Sequence, residues 1–458
     1  MREGIKAHMT GFRAVLIGRR TSRRGPAIRK PWVVSIVGFL LVVLSACEAP
    51  IAVLATASAP VIPTSPPTQY SFAGMGFGHG VGLSQYGTKN RADAGMNFAQ
   101  ILDAYYPGTA VGSVADIDPL RVAIRDREYE TLGVHGQADV FAAGQLLATV
   151  SEAPMAFARS ARSLSVVTGS TELCASVDCA GGVSIVPKPG SWFAVGGVPY
   201  QHGSLEVRPA ADDPAHLLMI VVGIALEDYL LGIAEVPYSW PTAALQTQAV
   251  AARSYAVAKT VERRRPGSGW AHPFDLWATT ADQVYAGDRH LQVASGNRWV
   301  NGVTSTAGKV LTYNGAPVVA NYSSSNGGHS EHSENVWSKA LPYLRGAPDP
   351  FDAAGNPRSS WLRVIDAATM SRYLGRFEDT KVGKVAAITI GTSPAVSGRV
   401  DRAPVTITGD GGVKTVTGAR FRVVLNDGIR ADGGRTDRLL LSTKFVMTPV
   451  TSVSPAAG

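Results

Sequence analysis

Glu235 lies in a short link, residues 232–237 (GIAEVP), between two segments whose apolar residues repeat at helical spacing. A carboxyl group in such a link can act as a general acid if burial keeps it protonated near neutral pH. Desolvation by the apolar and aromatic residues at 236–240 would raise its pKa, whereas the N-terminal end of the next helix would lower it. The residues alone leave two interpretations open: an acid catalyst, or a capping or salt-bridging group that pairs, for example, with Arg253.

A second stretch of chemical interest is residues 74–87, GMGFGHGVGLSQYG, in which glycines alternate with other residues on both sides of His79. Glycine at this density is costly in backbone entropy, so the chain must need its conformations or its small size here. The stretch lacks the spacing of a dinucleotide-binding loop, the lysine of a P-loop, and the last glycine of a nucleophile elbow around Ser84. These exclusions leave close glycine packing beside a substrate, or a metal ligand.

Polar side chains in a second loop and on a long helix are further candidates for substrate contact. The loop at 323–328 ends in two glycines and suits either a sugar-binding loop or a plain turn. The candidate substrate-binding residues in these two places are Ser324, Ser325, Asn326, Gln248 and Tyr255. His329 and His332 are three residues apart, which is weak evidence for a metal site. We therefore predict neither a metal nor a cofactor.

The elements that must position Glu235 are two helices at the centre of the chain. Apolar residues at helical spacing in 226–233 predict a short helix that ends at Pro237. A second helix is expected to start near Pro241, because proline suits the first turn. It should end at the basic residues 263–265, which are followed by a Pro-Gly pair.

Short strands are predicted on both sides of these helices. The predicted strand segments are 120–125, 138–144, 164–169, 204–209, 217–226, 308–313 and 317–324, with KVAAITIG, APVTITG, RFRVVL and RLLLSTKFVM in the C-terminal part. Residues 87–108 predict a helix with Phe98 and Ile101 on its apolar face and an end at Tyr106. Together these patterns predict an α+β fold.

The net charge of +8 belongs to the first 47 residues. They carry nine Lys or Arg and one Glu, which leaves 34 basic and 34 acidic residues in the remainder. We therefore predict no nucleic-acid partner.

The N-terminal segment has the features of an export signal. A basic region is followed by an apolar run over 31–46 that ends in Leu-Ser-Ala-Cys47, similar to a bacterial lipobox. This predicts an exported chain, lipidated at Cys47, at the extracytoplasmic face of the membrane or in the cell wall. Cleavage near Ala59 and an uncleaved anchor remain alternatives. In an exported chain, Cys174 and Cys179 are expected to form a disulfide.

Residues 226–259 resemble the sporulation stage II protein D family, also called the SpoIID/LytB or amidase-enhancer domain. The matching motifs are E-D-Y-L at 227–230, E-V-P at 235–237, S-W-P at 239–241 and Q-A-V-A-A-R-S-Y-A at 248–256. The link before Glu235 is shorter than in the family. Residues 321–352 resemble a second family signature and 74–87 a third, so the resemblance covers most of 71–445.

The resemblance implies an activity on peptidoglycan. The family's best-studied members are lytic transglycosylases that cleave glycan strands freed of stem peptides, and others are described as enhancers of amidases. Carried over by motif, Glu235 would be the catalytic acid and Arg253 a residue of its cleft. Some members hold zinc through cysteine and histidine. Residues 321–352 contain no cysteine, so we carry no metal site over.

A single acid suffices for this chemistry. A glycoside hydrolase usually needs two carboxylates, whereas in a lytic transglycosylase the 6-hydroxyl of the sugar itself attacks the anomeric carbon. Other acids near the motifs are expected to be surface or hydrogen-bonding groups: Glu331, Glu334, Asp282 and Asp228. Two rival functions remain: a non-catalytic enhancer of an N-acetylmuramoyl-L-alanine amidase, and a glycan-binding wall module.

The resemblance also suggests the domain layout and a rearranged order. The predicted units are 1–47 leader, 48–70 tether, 71–448 SpoIID/LytB-like domain and 449–458 tail, with the domain divided into 71–110, 111–225, 226–345 and 346–448. In the family the glycine signature lies at the C-terminal end, so its position here suggests a circular permutation. This predicts that 71–110 packs between the C-terminal strands and the central helices. His79 would then face the cleft near Glu235, where His79 or Gln85 can hydrogen-bond the substrate.

Overall fold

The computed structural model describes residues 66–113, 117–160, 163–174, 179–211, 213 and 215–451. The predicted leader with Cys47, and the predicted tether up to residue 65, lie outside these ranges. No helix within them is both long enough and apolar enough to cross a membrane. The described residues form helices and several β-sheets, which confirms the α+β prediction.

Residues 69–112, here called the glycine-rich segment because they contain the stretch 74–87, begin in a strand and continue into two short helices. Its elements are β1 (Gln69–Gly74), β2 (Leu83–Ser84), α1 (Gln85–Asp93), α2 (Phe98–Tyr105) and β3 (Ala110–Gly112). The sequence predicts one helix that ends at Tyr106. Helix α2 has this C-cap, but α1 is a separate helix whose N-cap is Ser84. Strand β1 starts at Gln69, so the predicted tether extends two residues too far.

Two antiparallel sheets occupy the chain between 120 and 224, in agreement with its alternating apolar pattern. Their strands are β4 (Leu120–Arg127), β5 (Tyr129–His135), β6 (Gln137–Ala142), β7 (Gln145–Ser151), β8 (Pro154–Ser160), β9 (Ser163–Thr168), β10 (Thr171–Glu172), β11 (Val183–Pro187), β12 (Trp192–Val195), β13 (Val198–Tyr200), β14 (Ser204–Pro209) and β15 (Leu217–Ile224). One sheet has the order β4-β15-β14-β11-β6-β7, and the later residues Leu276–Trp277 extend it in parallel beside β4. The other sheet has the order β10-β9-β8-β5-β12-β13. The predicted disulfide joins Cys174 and Cys179 between β10 and β11.

The central helices pack against these sheets in one hydrophobic core. The elements of this region are α3 (Leu226–Leu231), α4 (Thr242–Arg264), β16 (Leu276–Trp277), a short 3₁₀ helix (Arg289–Gln292), α5 (Gly296–Thr304), β17 (Val310–Tyr313), β18 (Ala316–Pro317), β19 (Tyr322–Ser323) and α6 (Ser333–Val336). Helix α4 has the predicted boundaries, with Pro241 as N-cap and Arg265 as C-cap. Helix α3 ends at Leu231 with Gly232 as C-cap, so the predicted end at Pro237 is wrong. Most of α4 is buried, because its small alanines let neighbouring elements approach closely.

The C-terminal lobe, residues 361–450, has a core of its own. Its elements are β20 (Trp361–Asp366), α7 (Ala367–Leu374), β21 (Val385–Ile390), β22 (Pro404–Gly409), β23 (Gly412–Thr417), α8 (Gly418–Ala431) and β24 (Phe445–Val450). The strand predicted for RFRVVL is wrong, because these residues lie in α8. Thr417 caps this helix, and Phe421, Val424 and Leu425 face the core at helical spacing. Strand β24 also runs two residues into the predicted tail.

The glycine-rich segment connects the C-terminal lobe with the central helices. Strand β1 lies between β20 and β24 and pairs with both in antiparallel register. Strand β2 then pairs in parallel with β19, and α1 and α2 pack against α4. This is the packing that the sequence predicts for 71–110. The permuted order relative to the family stays a prediction.

Candidate functional site

A cleft of about 820 Å³ lies between the central helices and the C-terminal lobe. One wall carries Glu235, Tyr255, Asp282 and Tyr322, and the opposite wall comes from α8 and the residues after it. The glycine segment contributes Gly78, His79 and Gln85. The cleft thus collects residues from four distant parts of the chain, including both Glu235 and His79.

The link that carries Glu235 is fixed by backbone pairing. Ala234 N–H donates to the Val284 carbonyl at 2.9 Å, and Ala286 N–H donates to the Gly232 carbonyl at 2.8 Å. Gly232 has no room for a side chain, because a Cβ there would lie 2.2 Å from the ring of Tyr285. The short link therefore holds Glu235 at the edge of the cleft.

The Glu235 carboxyl has the environment that a general acid requires. Burial raises its pKa, and hydrogen bonds from Val284 N–H, Gln85 and Tyr322 oppose this rise without cancelling it. The Val284 N–H donates to Oε1 at 2.7 Å. Among the described residues, Glu235 has no basic partner within ion-pair distance, so the alternative of a salt bridge with Arg253 does not hold.

A chain of buried hydrogen bonds orients Tyr322 towards this carboxyl. Tyr229 Oη donates to Gln283 Oε1 at 3.1 Å, and Gln283 Nε2 donates to Tyr322 Oη at 2.7 Å. The Tyr322 oxygen is thereby used as an acceptor, which leaves its proton for Glu235. Tyr322 and Gln283 are not predictable from the sequence, since no motif spacing connects them with Glu235.

Asp282 is the other carboxylate that lines the cleft among the described residues. Arg263 binds both of its oxygens, at 2.7 and 2.9 Å, and Tyr255 Oη donates to Oδ1 at 2.8 Å. Trp277 N–H adds a further hydrogen bond. Tyr255 therefore lines the cleft as predicted, but its hydroxyl is used to hold Asp282. Asp282 is a paired carboxylate and not a free second catalytic group.

The glycines of 74–82 serve close packing. Gly76, Gly78, Gly80 and Gly82 all have positive φ, between 70° and 101°, which residues with a Cβ rarely adopt. The segment also runs against residues 321–331, with bridges from Phe77 and Val81 and the β2–β19 pair. Close packing, one of the alternatives left open by the sequence, is therefore what the structure shows.

A buried arginine lies directly beneath this segment. Arg399 Nη1 donates to the Gly78 carbonyl at 2.9 Å and to Thr443 Oγ1 at 3.3 Å. A Cβ on Gly80 would lie only 2.2 Å from its Nη2. The absence of a side chain at Gly80 therefore makes room for the guanidinium.

His79 is a neutral residue of the cleft wall. Val81 N–H donates to its Nδ1 at 3.0 Å, so the proton resides on the other ring nitrogen, which is hydrogen-bonded to the Tyr322 backbone. Burial and the charge of Arg399 lower its pKa to about 4. Both ring nitrogens have backbone partners, which corrects the prediction that His79 hydrogen-bonds the substrate. Its ring instead packs on Trp337, with 4.9 Å between centroids.

The two predicted glutamine ligands have different positions. Gln85 lines the cleft at the start of α1 and contacts Glu235. Gln248 on α4 lies behind it, fully buried, and accepts from Gln85 Nε2 at 3.4 Å. Gln248 thus orients Gln85 and does not reach the cleft, which corrects its predicted role in substrate binding.

Arg253 also lies outside the cleft. Its fully buried guanidinium forms two hydrogen bonds with Glu227, at 2.8 and 2.7 Å, and donates to the carbonyls of Val303 and Lys309. It thereby joins α3, α4 and the end of α5. The predicted cleft residue is a structural cross-link.

The serine loop is divided between the cleft and the interior. Ser324 lines the cleft, whereas Ser325 and Asn326 are completely buried. Ser325 Oγ donates to Asp352 at 2.7 Å, and Asn326 Nδ2 donates to Asp349 at 2.8 Å. These contacts hold the loop in place, so Ser325 and Asn326 are corrected from substrate-binding to structural residues.

The remaining acids have structural surroundings. Glu331 is buried and accepts several hydrogen bonds, including those from Ser397, and these lower its pKa. Arg345 holds Glu334 and lowers its pKa to about 2. Asp228 lies 3.4 Å from His202. In the part of the chain that the structure describes, no group of three His, Cys, Asp or Glu residues is placed to hold a metal ion.

Helix α8 and the residues after it form a wall that sequence analysis missed. Its cleft-lining residues are Arg422, Arg430, Thr436, Leu439, Leu440 and Leu441. The signal was present in the apolar spacing of α8, but RFRVVL also alternates as a strand does. A strand at RFRVVL would not place these residues on one helix face beside the cleft.

Comparison with known proteins covers the centre of this site. The family model described as stage II sporulation protein (SpoIID) matches residues 215–313. Stage II sporulation protein D of Bacillus subtilis (strain 168) is 31% identical over 188 residues, which are 39% of this chain and 54% of that protein. The protein of that name in Bacillus amyloliquefaciens is 31% identical over 193 residues, with coverage of 39% and 54%.

A further relative bears a different name. The amidase enhancer of Bacillus subtilis (strain 168) is 43% identical over 132 residues, 29% of this chain and 16% of that protein. The chain thus matches about half the length of the stage II sporulation proteins D and a smaller share of the amidase enhancer. The region from 215 to 313 contains Glu235, α4 and Asp282. Through this region, the chain is similar to the stage II sporulation protein D family.

Proposed function

We propose that this protein cleaves glycan strands of peptidoglycan by lytic transglycosylation at the extracytoplasmic face of the membrane, with Glu235 as its acid. The observation that carries the proposal is a half-buried carboxyl with raised pKa that opens on a cleft of about 820 Å³. Similarity to the stage II sporulation protein D family supports a role related to the cell wall. The disulfide and the predicted export signal support a location outside the cytoplasm.

The reaction requires one carboxyl group in two roles. Protonated Glu235 donates its proton to the glycosidic oxygen as the bond from that oxygen to the anomeric carbon breaks. The 6-hydroxyl of the same muramyl sugar attacks the anomeric carbon, and the Glu235 carboxylate accepts the hydroxyl proton. The products are a 1,6-anhydro-muramyl end and a free 4-hydroxyl, so no water is consumed.

The surroundings of Glu235 fit both roles. Desolvation favours the protonated form at the start, and the donors Val284 N–H, Gln85 and Tyr322 stabilise the carboxylate once the proton has left. Asp282 is bound by Arg263 and Tyr255, so it does not serve as the second free carboxylate of a hydrolase. The arrangement therefore favours transglycosylation over hydrolysis.

The test is product analysis of peptide-free glycan strands by mass spectrometry. The wild type is expected to release anhydro-muramyl products, and Glu235→Gln is expected to release none while it keeps the fold. Glu262→Gln is the matched control, because Glu262 is an exposed residue of α4 outside the cleft. Undiminished cleavage by Glu235→Gln would contradict the assignment.

A second candidate function rests on the similarity to an amidase enhancer. In this alternative the cleft binds glycan without cleaving it, and the protein stimulates an N-acetylmuramoyl-L-alanine amidase. A wild type that releases no anhydro product but accelerates an added amidase would support it. Retention of peptide-free strands without any turnover or stimulation would instead indicate a glycan-binding wall module.

A further inference from the structure

Two arginines of α8, Arg422 and Arg430, line the same cleft as Glu235. They are eight residues apart, which corresponds to about 12 Å along the helix axis. They belong to the wall formed by α8 and the residues after it. Among the described residues that line this wall, none has a carboxylate. The cleft thus has an acid on one wall and two cations on the other.

The charge of Arg430 is not neutralised by the protein. Its side chain is exposed, and it forms no ion pair with an acid of the described residues. The acids nearest in sequence are engaged elsewhere, since Asp427 pairs with Arg376 and Asp432 with Arg372. The guanidinium is therefore free to bind an anion in the cleft.

The hydrogen-bond partners of Arg422 are uncharged, although the carboxyl of Asp401 lies near enough to influence its pKa. Its Nε donates to the Leu440 carbonyl at 2.8 Å, and Nη2 donates to the Leu441 carbonyl at 3.0 Å. These contacts orient the side chain without cancelling its charge. Burial and the nearby charge of Arg399 lower its pKa to about 10, so it stays protonated at neutral pH.

The opposite wall does not compensate for these cations. Glu235 has a raised pKa, and Asp282 is neutralised by Arg263. His79 is neutral. The cleft therefore has an excess of positive charge on the α8 side, and an anionic group on the ligand would be attracted to this side.

We propose that Arg422 and Arg430 recognise the free lactyl carboxylate of muramic acid in peptide-free strands. This inference rests on the proposed function and adds a specificity determinant to it. In such strands every second sugar carries a carboxylate, which becomes an amide when a stem peptide is attached. A glycan of N-acetylglucosamine alone has no such group. Carboxylate recognition on the α8 wall would select the muramyl strand and orient it with a glycosidic bond at Glu235.

The test measures binding to the full-length chain with Glu235→Gln, so that no turnover occurs. The probes are peptide-free peptidoglycan strands and the same strands with their lactyl carboxyls converted to methylamides. We expect the amidated strands to bind about fivefold more weakly, the upper end of what one exposed ion pair contributes. Arg430→Gln should produce a similar loss for the native strands and none for the amidated strands.

Two variants control for charge and fold. Arg430→Lys should retain most of the affinity, because it keeps the positive charge. Arg420→Gln removes an arginine of the same helix that pairs with Asp379 outside the cleft, and it should leave binding unchanged. The expected losses should also diminish as salt is raised, because exposed charges are screened.

The outcomes separate this inference from the proposed function. If the chain with only Glu235→Gln, here the parent chain, binds native and amidated strands with equal affinity, the inference alone is overturned. The same holds if Arg430→Gln weakens both ligands equally. If the parent chain binds neither strand, the proposed function fails and the inference fails with it.

Discussion

Gly80→Ala tests the packing of the glycine segment on Arg399. The substitution places a methyl group where φ is +70° and where Arg399 Nη2 lies 2.2 Å and Cζ 2.5 Å from the ideal Cβ position. Van der Waals repulsion requires the guanidinium or the segment to move. Any such movement breaks the hydrogen bonds of Arg399 to the Gly78 carbonyl and Thr443.

The expected loss of stability has two parts. Alanine in a left-handed conformation costs roughly 1–2 kcal/mol, of which the lower entropy of the unfolded chain offsets about 0.4–1 kcal/mol. Loss of hydrogen bonds from a buried charged group adds about 1.5–3 kcal/mol. We therefore expect Gly80→Ala to lower the free energy of unfolding by about 3 kcal/mol.

Gly95→Ala provides the matched control for the backbone part. Gly95 has φ +88°, and nothing lies within 4 Å of the position its Cβ would take. Urea denaturation should therefore show a loss of about 1 kcal/mol or less for this variant. Equal losses for Gly80→Ala and Gly95→Ala would refute the argument, since backbone strain alone would then explain both.

Three further predictions concern the cleft and its supports. Tyr322→Phe removes a hydrogen bond that lowers the pKa of Glu235, so the alkaline limb of the rate against pH should move to higher pH; movement to lower pH would contradict the assigned contact. Arg253→Gln should reduce the free energy of unfolding by about 3 kcal/mol, because buried carbonyl acceptors and Glu227 lose their partner; wild-type stability in urea would contradict this. Since the pKa of His79 is lowered to about 4, the unfolded state binds more protons between pH 6.5 and 4, and stability should fall as pH drops through this range. His79→Gln should flatten that part of the stability curve, and an unchanged slope would contradict the assignment.

The elements that carry Glu235 were predictable because their signals are local. Pro241 marks the start of α4, and the alanine-rich run after this proline has one continuous helical pattern. The position of Glu235 in a short link followed from these boundaries. The direction of its pKa shift could not be predicted in the same way. Gln85 and Tyr322, whose hydrogen bonds oppose the effect of burial, lie far from Glu235 in sequence.

The serine loop shows why exposure was harder to predict than position. Ser325 and Asn326 have the composition of a sugar-binding loop, but their partners Asp352 and Asp349 come more than 20 residues later. Folding places these carboxylates under the loop, and the hydrogen bonds turn two of its polar side chains inward. Ser324 keeps its place on the cleft. A local pattern cannot distinguish the two outcomes.

The pairing of β1 with β24 has a consequence for the order of folding. Thr68, just before β1, and Val450 at the end of β24 are hydrogen-bonded although they are 382 positions apart. Contacts of such separation form late, because the closure of so long a loop costs entropy before any contact compensates. Gln85 lies only eleven residues after the end of β1. The group that contacts Glu235 is therefore connected by a short segment to a strand that cannot complete its pairing before β24 is present. We therefore expect the cleft to assemble only after β24 has emerged from synthesis or export, which would delay the proposed activity until then.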